Sequence, residues 1–312
     1  MSSGPSSVLV VGATGFIAQA LLRHLKEKNI PAMALAFTDR GHQNRLAEQA
    51  GLKIFYADSN DGPSIERSLE KAAPEVVVNL AAAGVRPEQR QPDNLARGNA
   101  GLVEKLLRAC AKSPPRLFLH AGSWSEYGPA VEATPITEDH PVTPVSDYGR
   151  AKAAASALGT SLAPDLGVPM VTLRLFHVYG NGEIETRLIP SLIKGLGADQ
   201  AIDLTPGDQV RDFIYVDDAA RAFVAAWDAK NLEAHRTYNV CSGQPVTVRS
   251  VVEKVADAMN KPRDLLHFGA LSKRDEEEPW VVGDGATFAA ATGWRPSVTL
   301  SEGIRRMVAA NG

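Results

Sequence analysis

Two short constellations in this sequence have the residue types and the spacing for chemistry. In Tyr148-Gly149-Arg150-Ala151-Lys152 a phenol and an ammonium stand four residues apart within a run of good helix formers, which puts both side chains on one helix face. A tyrosine titrates near about pH 10 and is a poor acid or base at neutral pH, but a neighbouring cation favours its phenolate. Ser123 follows the apolar run Leu117 to His120, at the C-terminal end of an expected strand, where open α/β sheets hold their ligands. A hydroxyl there shares a substrate oxygen with the phenol, orients it, and stabilises charge that develops during hydride transfer. Asn99, in the preceding helical segment, either supports this group by hydrogen bonding or serves as an N-cap or polar-face residue.

The second constellation is Gly12-x-x-Gly15-x-x-Ala18, which closely follows the first apolar run and opens the first helical one. That context is the one a dinucleotide fingerprint requires. Gly12 allows a tight turn, and Gly15 lets backbone N–H groups approach a pyrophosphate, with Thr14, Phe16 and Ile17 completing the turn and the helix start. A bound nicotinamide cofactor adds positive charge beside Tyr148, and Lys152 can reach its ribose. At the end of the second strand, near Ala36, no carboxylate stands ready for a ribose 2′-hydroxyl. Thr38 and Arg40 follow instead, and an arginine there can receive a 2′-phosphate, which favours NADP over NAD; the other reading of Arg40 is a solvated loop residue beside Asp39. Asp58 either accepts from an adenine amino group or caps its own turn.

The elements that must position these residues alternate short β-branched runs with helical periodicities, the pattern of a parallel sheet covered on both faces. Strands are expected at Val8 to Val11, Ala32 to Phe37, Lys53 to Tyr56, Val76 to Leu80, Leu117 to His120 and Met170 to Leu175. Helical segments are expected at Phe16 to Lys28 and around 41 to 51, 63 to 72, 94 to 112 and 147 to 163. Past Gly180 the alternation loosens, as in a smaller cap, although Phe213 to Val216 and Thr237 to Cys241 look like returns to the main sheet. The expected organisation is a disordered tail over 1–7, a Rossmann-like doubly wound α/β domain over 8–179 with returning segments in 213–241, and a smaller α/β substrate cap from 180–212 and 242–312. Val248 to Met259 and Leu300 to Val308 read as cap helices, and Asp275 to Glu278 as a solvated acidic loop.

Composition narrows the class. A chain of 312 residues with 44% hydrophobic and 22% charged residues can bury a full core, and a net charge of -3 with dispersed Lys and Arg argues against nucleic acid or an anionic membrane as partner. Cys110 and Cys241 lie far apart with no metal-ligand spacing, so they read as buried small hydrophobes. The polar start lacks a signal-peptide pattern and no apolar run is long enough to span a membrane, so a soluble cytoplasmic protein is expected.

Taken in order, these segments resemble the extended short-chain dehydrogenase/reductase family, the nucleotide-sugar epimerases, dehydratases and 4-ketoreductases. The resemblance rests on Gly12 to Ala18, Asn79-Leu-Ala-Ala82, Asn99 with Leu106-Leu107, Gly122 to Gly128, Tyr148 to Lys152, Arg174 to Gly180, Arg211 to Asp218, Tyr238-Asn-Val and Gly293-Trp-Arg-Pro296. It implies that Ser123, Tyr148 and Lys152 are the catalytic triad and that Leu80, Ala81 and Ala82 line the cofactor. It matches Arg211 to an arginine that meets a sugar nucleotide's diphosphate, with Arg274 as a second such group and Arg187 and His177 joining Ser123 and Asn99 as substrate contacts. It also implies a homodimer through the helices of Asn99 and Tyr148.

The departures from the family pattern narrow the reaction. Dehydratases of this kind carry Asp and Glu directly after the hydroxyl residue, whereas Trp124 and Ser125 stand here, so a 4,6-dehydratase lacks its acid and base. His177 replaces a frequent asparagine, and Glu126-Tyr127-Gly128 is similar to a variant found in deoxysugar ketoreductases. The first expectation is an NADPH-dependent reductase of a 4-keto nucleoside-diphosphate sugar. The alternatives are an NAD-dependent 4-epimerase and, from another class, a non-catalytic NAD(P)-binding sensor or scaffold.

Overall fold

The computed structural model describes residues 5–38, 52–84, 90–130, 133–273 and 278–311. Its strands, in chain order, are β1 (Val8–Val11), β2 (Ala32–Phe37), β3 (Lys53–Ala57), β4 (Val76–Asn79), β5 (Leu117–Ser123), β6 (Met170–Leu175), β7 (His177–Tyr179), β8 (Ile202–Leu204), β9 (Val210–Arg211), β10 (Phe213–Tyr215), β11 (Thr237–Val240), β12 (Val246–Thr247), β13 (Leu266–Phe268) and β14 (Trp280–Val281). Seven of them form one parallel sheet in the order β11-β6-β5-β4-β1-β2-β3. The chain runs outward from β1 to β3 and then restarts at β4 on the other side of β1, so a crevice opens where the order reverses. This is the doubly wound, Rossmann-like α/β fold the sequence implies.

The strands are continuous apolar runs because both sheet faces are covered. On one face the amphipathic helices Phe16–Glu27 and Val216–Asp228 bury Leu21, Leu25, Phe223 and Trp227. On the other, Gly62–Ala72, Ala100–Cys110 and Asp147–Asp165 bury Leu69, Leu106, Leu107 and Ala155. Helices Leu188–Gly197, Val248–Ala258 and Leu300–Asn311 pack through Leu192, Leu196, Val251, Val255, Ile304 and Met307, in one core with the first sheet face. Both cysteines are buried and free.

Two expectations are corrected. The segment Phe213–Tyr215 does not rejoin the main sheet; it pairs in parallel with β7 as a separate two-stranded sheet. The cause is a divergence after Leu175, where the Phe176 N–H still donates to Val240 while the His177 N–H turns to Asp212. Asp212 is fully buried and accepts from the N–H groups of Ser242, Gly243 and Gly283 and from the Ser242 hydroxyl, so it clamps this second sheet to the segment after β11 and to Gly283. The second correction concerns 94 to 112, which is two helices, Pro92–Gly98 and Ala100–Cys110, broken at Asn99. The helix expected around 41 to 51 and the start of the acidic loop near 275 lie outside the described residues.

Candidate active site

The glycine turn between β1 and its helix has the geometry an anion needs. Gly12 has φ +75°, and a β-carbon there would stand 2.7 Å from Ala81 Cα, so only glycine lets this turn lie on the segment after β4. Gly15 donates its N–H to the Gly12 carbonyl at 2.9 Å and is the N-cap of helix Phe16–Glu27, which has no capping side chain and no acid in its first turn. Half-buried Thr14, Phe16 and Ile17 flank this helix start. The open helix N-terminus therefore fits a pyrophosphate, and Leu80, Ala81 and Ala82 form the facing wall across the reversal point.

Toward the expected adenosine end, the Thr38 hydroxyl donates to the Ala57 carbonyl at 3.3 Å. Asp58 accepts from the Asn60 backbone N–H at 2.8 Å and from its side-chain amide at 3.3 Å, which is the turn-capping arrangement. Arg40 lies outside the described residues, as does Arg274.

Ser123 is the last residue of β5, which runs past the expected end at His120. Its hydroxyl pairs with that of Ser125 at 2.8 Å, and the short 3-10 turn Trp124–Glu126 is closed by a capping box in which the Ser123 N–H donates to Glu126 Oε1 at 2.8 Å. Glu126 is fully buried and its other oxygen accepts from Arg174 Nε at 2.8 Å. The Arg174 guanidinium also lies 4.3 Å from the Tyr127 ring centroid, and the Tyr127 hydroxyl donates to Asn239 at 2.8 Å.

Helix Asp147–Asp165 begins at the Ser146 cap, whose hydroxyl accepts from the Gly149 N–H at 3.0 Å. Gly149 has no side chain to keep the helix away from the Ser125 carbonyl, so the helix start sits directly on the Ser123 turn. One turn later, buried Lys152 donates from Nζ to the Ala121 carbonyl of β5 at 2.5 Å. Burial pulls this ammonium down to about 8, against the opposing pull of Glu126. Tyr148 is half-buried, with its ring against Gly84. Ser123, Tyr148 and Lys152 thus gather at the C-terminal end of β5.

The expected tuning of the phenol is not what the protein's own groups provide. Burial pushes Tyr148 up to about 12, with Glu126 adding to the rise and the guanidinium groups of Arg187 and Arg90 opposing it. Lys152 is directed at the Ala121 carbonyl instead.

Asn99 is buried and its side chain bonds to backbone groups. Its amide donates to the Ala83 carbonyl at 3.2 Å and the Leu95 carbonyl at 2.9 Å, and accepts from the Ala83 N–H at 3.4 Å. It occupies the N-cap position of Ala100–Cys110 without a side-chain cap bond.

On the cap side, His177 stacks on Trp124 with ring centroids 4.7 Å apart. Burial, then the charges of Arg211 and Arg187, pull the ring down to about 3, so it is neutral. Its Nδ1 is buried without a partner. Arg211 is buried and donates to the Val210 carbonyl, while Arg187 stands at the N-cap of Leu188–Gly197. The Arg187 charge bears on Tyr148, His177 and Glu183 together.

Sequence reasoning also passed over Glu183 and Asn181, in the loop that follows β7. Each has a buried side-chain oxygen without a partner, and burial pushes the Glu183 carboxyl up to about 7. Their loop position gave no signal, because an acid in a Gly-Asn-Gly-Glu loop usually reads as solvated. No group of His, Cys, Asp and Glu that could hold a metal ion occurs among the described residues.

Residues 8–241 match the family described as "NAD dependent epimerase/dehydratase family". The chain belongs to that family. Among its relatives, the dTDP-6-deoxy-L-talose 4-dehydrogenase (NAD(P)(+)) of Kitasatospora kifunensis is 29% identical over 98% of this chain and 95% of its own length. The UDP-glucose 4-epimerase of Corynebacterium glutamicum is 28% identical, over 94% and 91% respectively. The solved structure of the Thermus thermophilus UDP-glucose 4-epimerase in complex with NAD superposes with a TM-score of 0.86 at 26% identity, covering 97% of this chain and 98% of that one. The resemblance to extended short-chain dehydrogenases is borne out across nearly the whole chain. No described helix of this family member is long and apolar enough to cross a membrane.

Proposed function

We propose that this family member uses NADPH to reduce a 4-keto group of a nucleoside-diphosphate sugar, with Tyr148 as proton donor, Ser123 holding the carbonyl oxygen and Lys152 orienting the cofactor ribose. The observation that carries this reading is the state of Glu126. The carboxylate three residues past Ser123 is fully buried and occupied by Arg174 and the Ser123 N–H, so a hydroxyl, a phenol and an ammonium are what remains at the end of β5. Such a set supports one hydride and one proton at a carbonyl carbon, and not the paired proton transfers of dehydration. The protonated phenol of Tyr148 is the form that reduction consumes.

When bound, the cofactor supplies the hydride. Gly12, Thr14, Gly15, Phe16 and Ile17 would hold its pyrophosphate and Leu80, Ala81, Ala82 and Lys152 its nicotinamide half, with Thr38, Arg40 and Asp58 toward the adenosine. The absence of a carboxylate at Ala36 supports NADP over NAD. Arg211 and Arg274 would meet the diphosphate, with Arg187 and His177 along the sugar. Residues 8–179 would form the cofactor half, and 180–212 with 242–312 the substrate half. A homodimer through the helices of Asn99 and Tyr148 belongs to the same reading.

The second reading is a 4-epimerase, which oxidises and re-reduces the same carbon with retained NAD; the likeness to the Corynebacterium glutamicum enzyme supports it. Purified protein given NADPH and a nucleoside-diphosphate 4-keto-hexose separates the two. The reductase consumes one NADPH per sugar, whereas the epimerase carries its own NAD through purification and needs none added. A sensor or scaffold does neither. Turnover that survives Tyr148→Phe would refute the assignment of the acid.

A further inference from the structure

Asn79 ends β4, and His120 lies beside it in register on β5. Both are almost completely buried, at 1% exposure each. The Asn79 side-chain oxygen accepts the Ala81 N–H at 3.2 Å, so its NH2 is the group that faces His120 Nδ1 at 3.2 Å. An amide NH2 only donates, which makes Nδ1 the acceptor and puts the imidazole proton on Nε2. Burial and the nearby Lys152 charge keep the ring neutral. That tautomer and amide orientation satisfy Asn79 and Nδ1, while the Nε2–H is buried without a partner.

The consequence reaches the glycine turn. The Ala81 N–H fixed by Asn79 belongs to the backbone on which Gly12 lies, with no room for a β-carbon between them. The residue after His120 offers its carbonyl to Lys152, and Ser123 ends the same strand. Asn79 and His120 thus tie the strand that carries the proton chemistry to the wall that faces the cofactor.

We propose that the Asn79–His120 pair is a positioning device that holds the Leu80–Ala82 wall against the glycine turn at the spacing the cofactor needs, an inference that rests on the crevice being an NAD(P) site. His120 acts through Asn79: without an acceptor for its NH2, the buried amide carries an unpaired donor and its hold on the Ala81 N–H slackens. The wall then loses its fixed distance from Gly12.

The test combines two readouts. Nitrogen-15 spectra of the wild-type imidazoles are expected to show one ring, assigned through its loss in His120→Gln, as a neutral Nε2–H tautomer that does not titrate from mildly acidic to mildly basic pH. Calorimetric titration of His120→Leu is expected to show NADPH and NAD binding weakened about tenfold, the scale of one lost buried hydrogen bond, with UDP and dTDP affinities within about twofold of wild type. His120→Gln, whose side-chain oxygen can accept from Asn79, is expected to recover most of that loss. Equal losses in the two variants, no loss in His120→Leu, or a charged or Nδ1–H ring in the wild type would each overturn the proposal. Should His120→Leu fail to fold, the wild-type spectrum and the Gln variant decide. A wild-type protein that binds neither cofactor overturns the function proposed above together with this inference, whereas cofactor binding indifferent to His120→Leu overturns this inference alone.

Discussion

Glu126 and Arg174 form a buried ion pair, 2.8 Å between Oε2 and Nε, directly behind the Ser123 backbone. The carboxylate that the sequence places next to the reacting hydroxyl is thereby turned into a brace for it. Glu126→Gln keeps an acceptor for the Ser123 N–H but leaves the Arg174 charge uncompensated. The expected outcome is a loss of about 3 kcal/mol in urea unfolding, the scale for breaking a buried pair. Turnover per folded molecule is expected to fall as the Ser123 turn loosens. Unchanged stability would show that the pair braces nothing.

Tyr148→Phe removes a hydroxyl from a half-buried ring and leaves the packing against Gly84 in place. Unfolding free energy is expected to change by less than about 1 kcal/mol. Activity is expected to drop by about 10²- to 10⁴-fold, the range for losing a positioned acid, with cofactor affinity retained. Steady-state kinetics and direct cofactor titration read these separately.

Lys152 is the reverse case, a residue that costs stability for the sake of its position. Its native pKa of about 8 lies below the 10.5 of a free lysine, so the unfolded chain binds its proton more tightly. The cost is complete below about pH 8, fades between about 8 and 10.5, and is gone above, because the neutral amine carries no desolvation cost. Lys152→Met also loses the bond to the Ala121 carbonyl, which offsets part of the gain. A net stabilisation of about 2 kcal/mol at neutral pH is expected, shrinking in alkaline buffer, in an inactive protein. Denaturation midpoints across that pH range check it.

Glu183 works with the opposite sign of charge. Its carboxyl, raised from 4.5 to about 7 by burial, makes the folded state hold a proton that the unfolded chain has released. The cost is absent below about pH 4.5, grows from there to about 7, and is complete above. Glu183→Gln is expected to gain about 2 kcal/mol at pH values above neutrality, allowing for its partial exposure, and nothing near its unfolded pKa. A variant no more stable in alkaline than in acidic buffer would contradict this burial account.

Much of this was readable in one dimension because the relevant information is local. The apolar runs that became β1, β4, β5 and β6 follow from residue type, since a strand covered on both faces admits few polar side chains. The glycine turn and the four-residue offset of Tyr148 and Lys152 depend only on backbone geometry within a few residues. Family membership, too, followed from the order of short motifs.

What tertiary structure alone decided are relations across long sequence distances. The strand Phe213–Tyr215 has the composition of a sheet strand, yet its partner is set by Asp212 and the divergence after Leu175, neither of which periodicity can see. Asn99, read as a support of the site or an N-cap, bonds to the Ala83 backbone. The phenol of Tyr148 was expected to be lowered by Lys152 together with a bound cofactor's charge; the fold aims that ammonium at Ala121, and burial by the protein raises the phenol. The sequence by itself determined which atoms are available for chemistry, because side-chain identity and local geometry are properties of short segments. The tertiary structure decided which of them are charged, braced or free to react, because desolvation and hydrogen bonding depend on neighbours that only folding brings together.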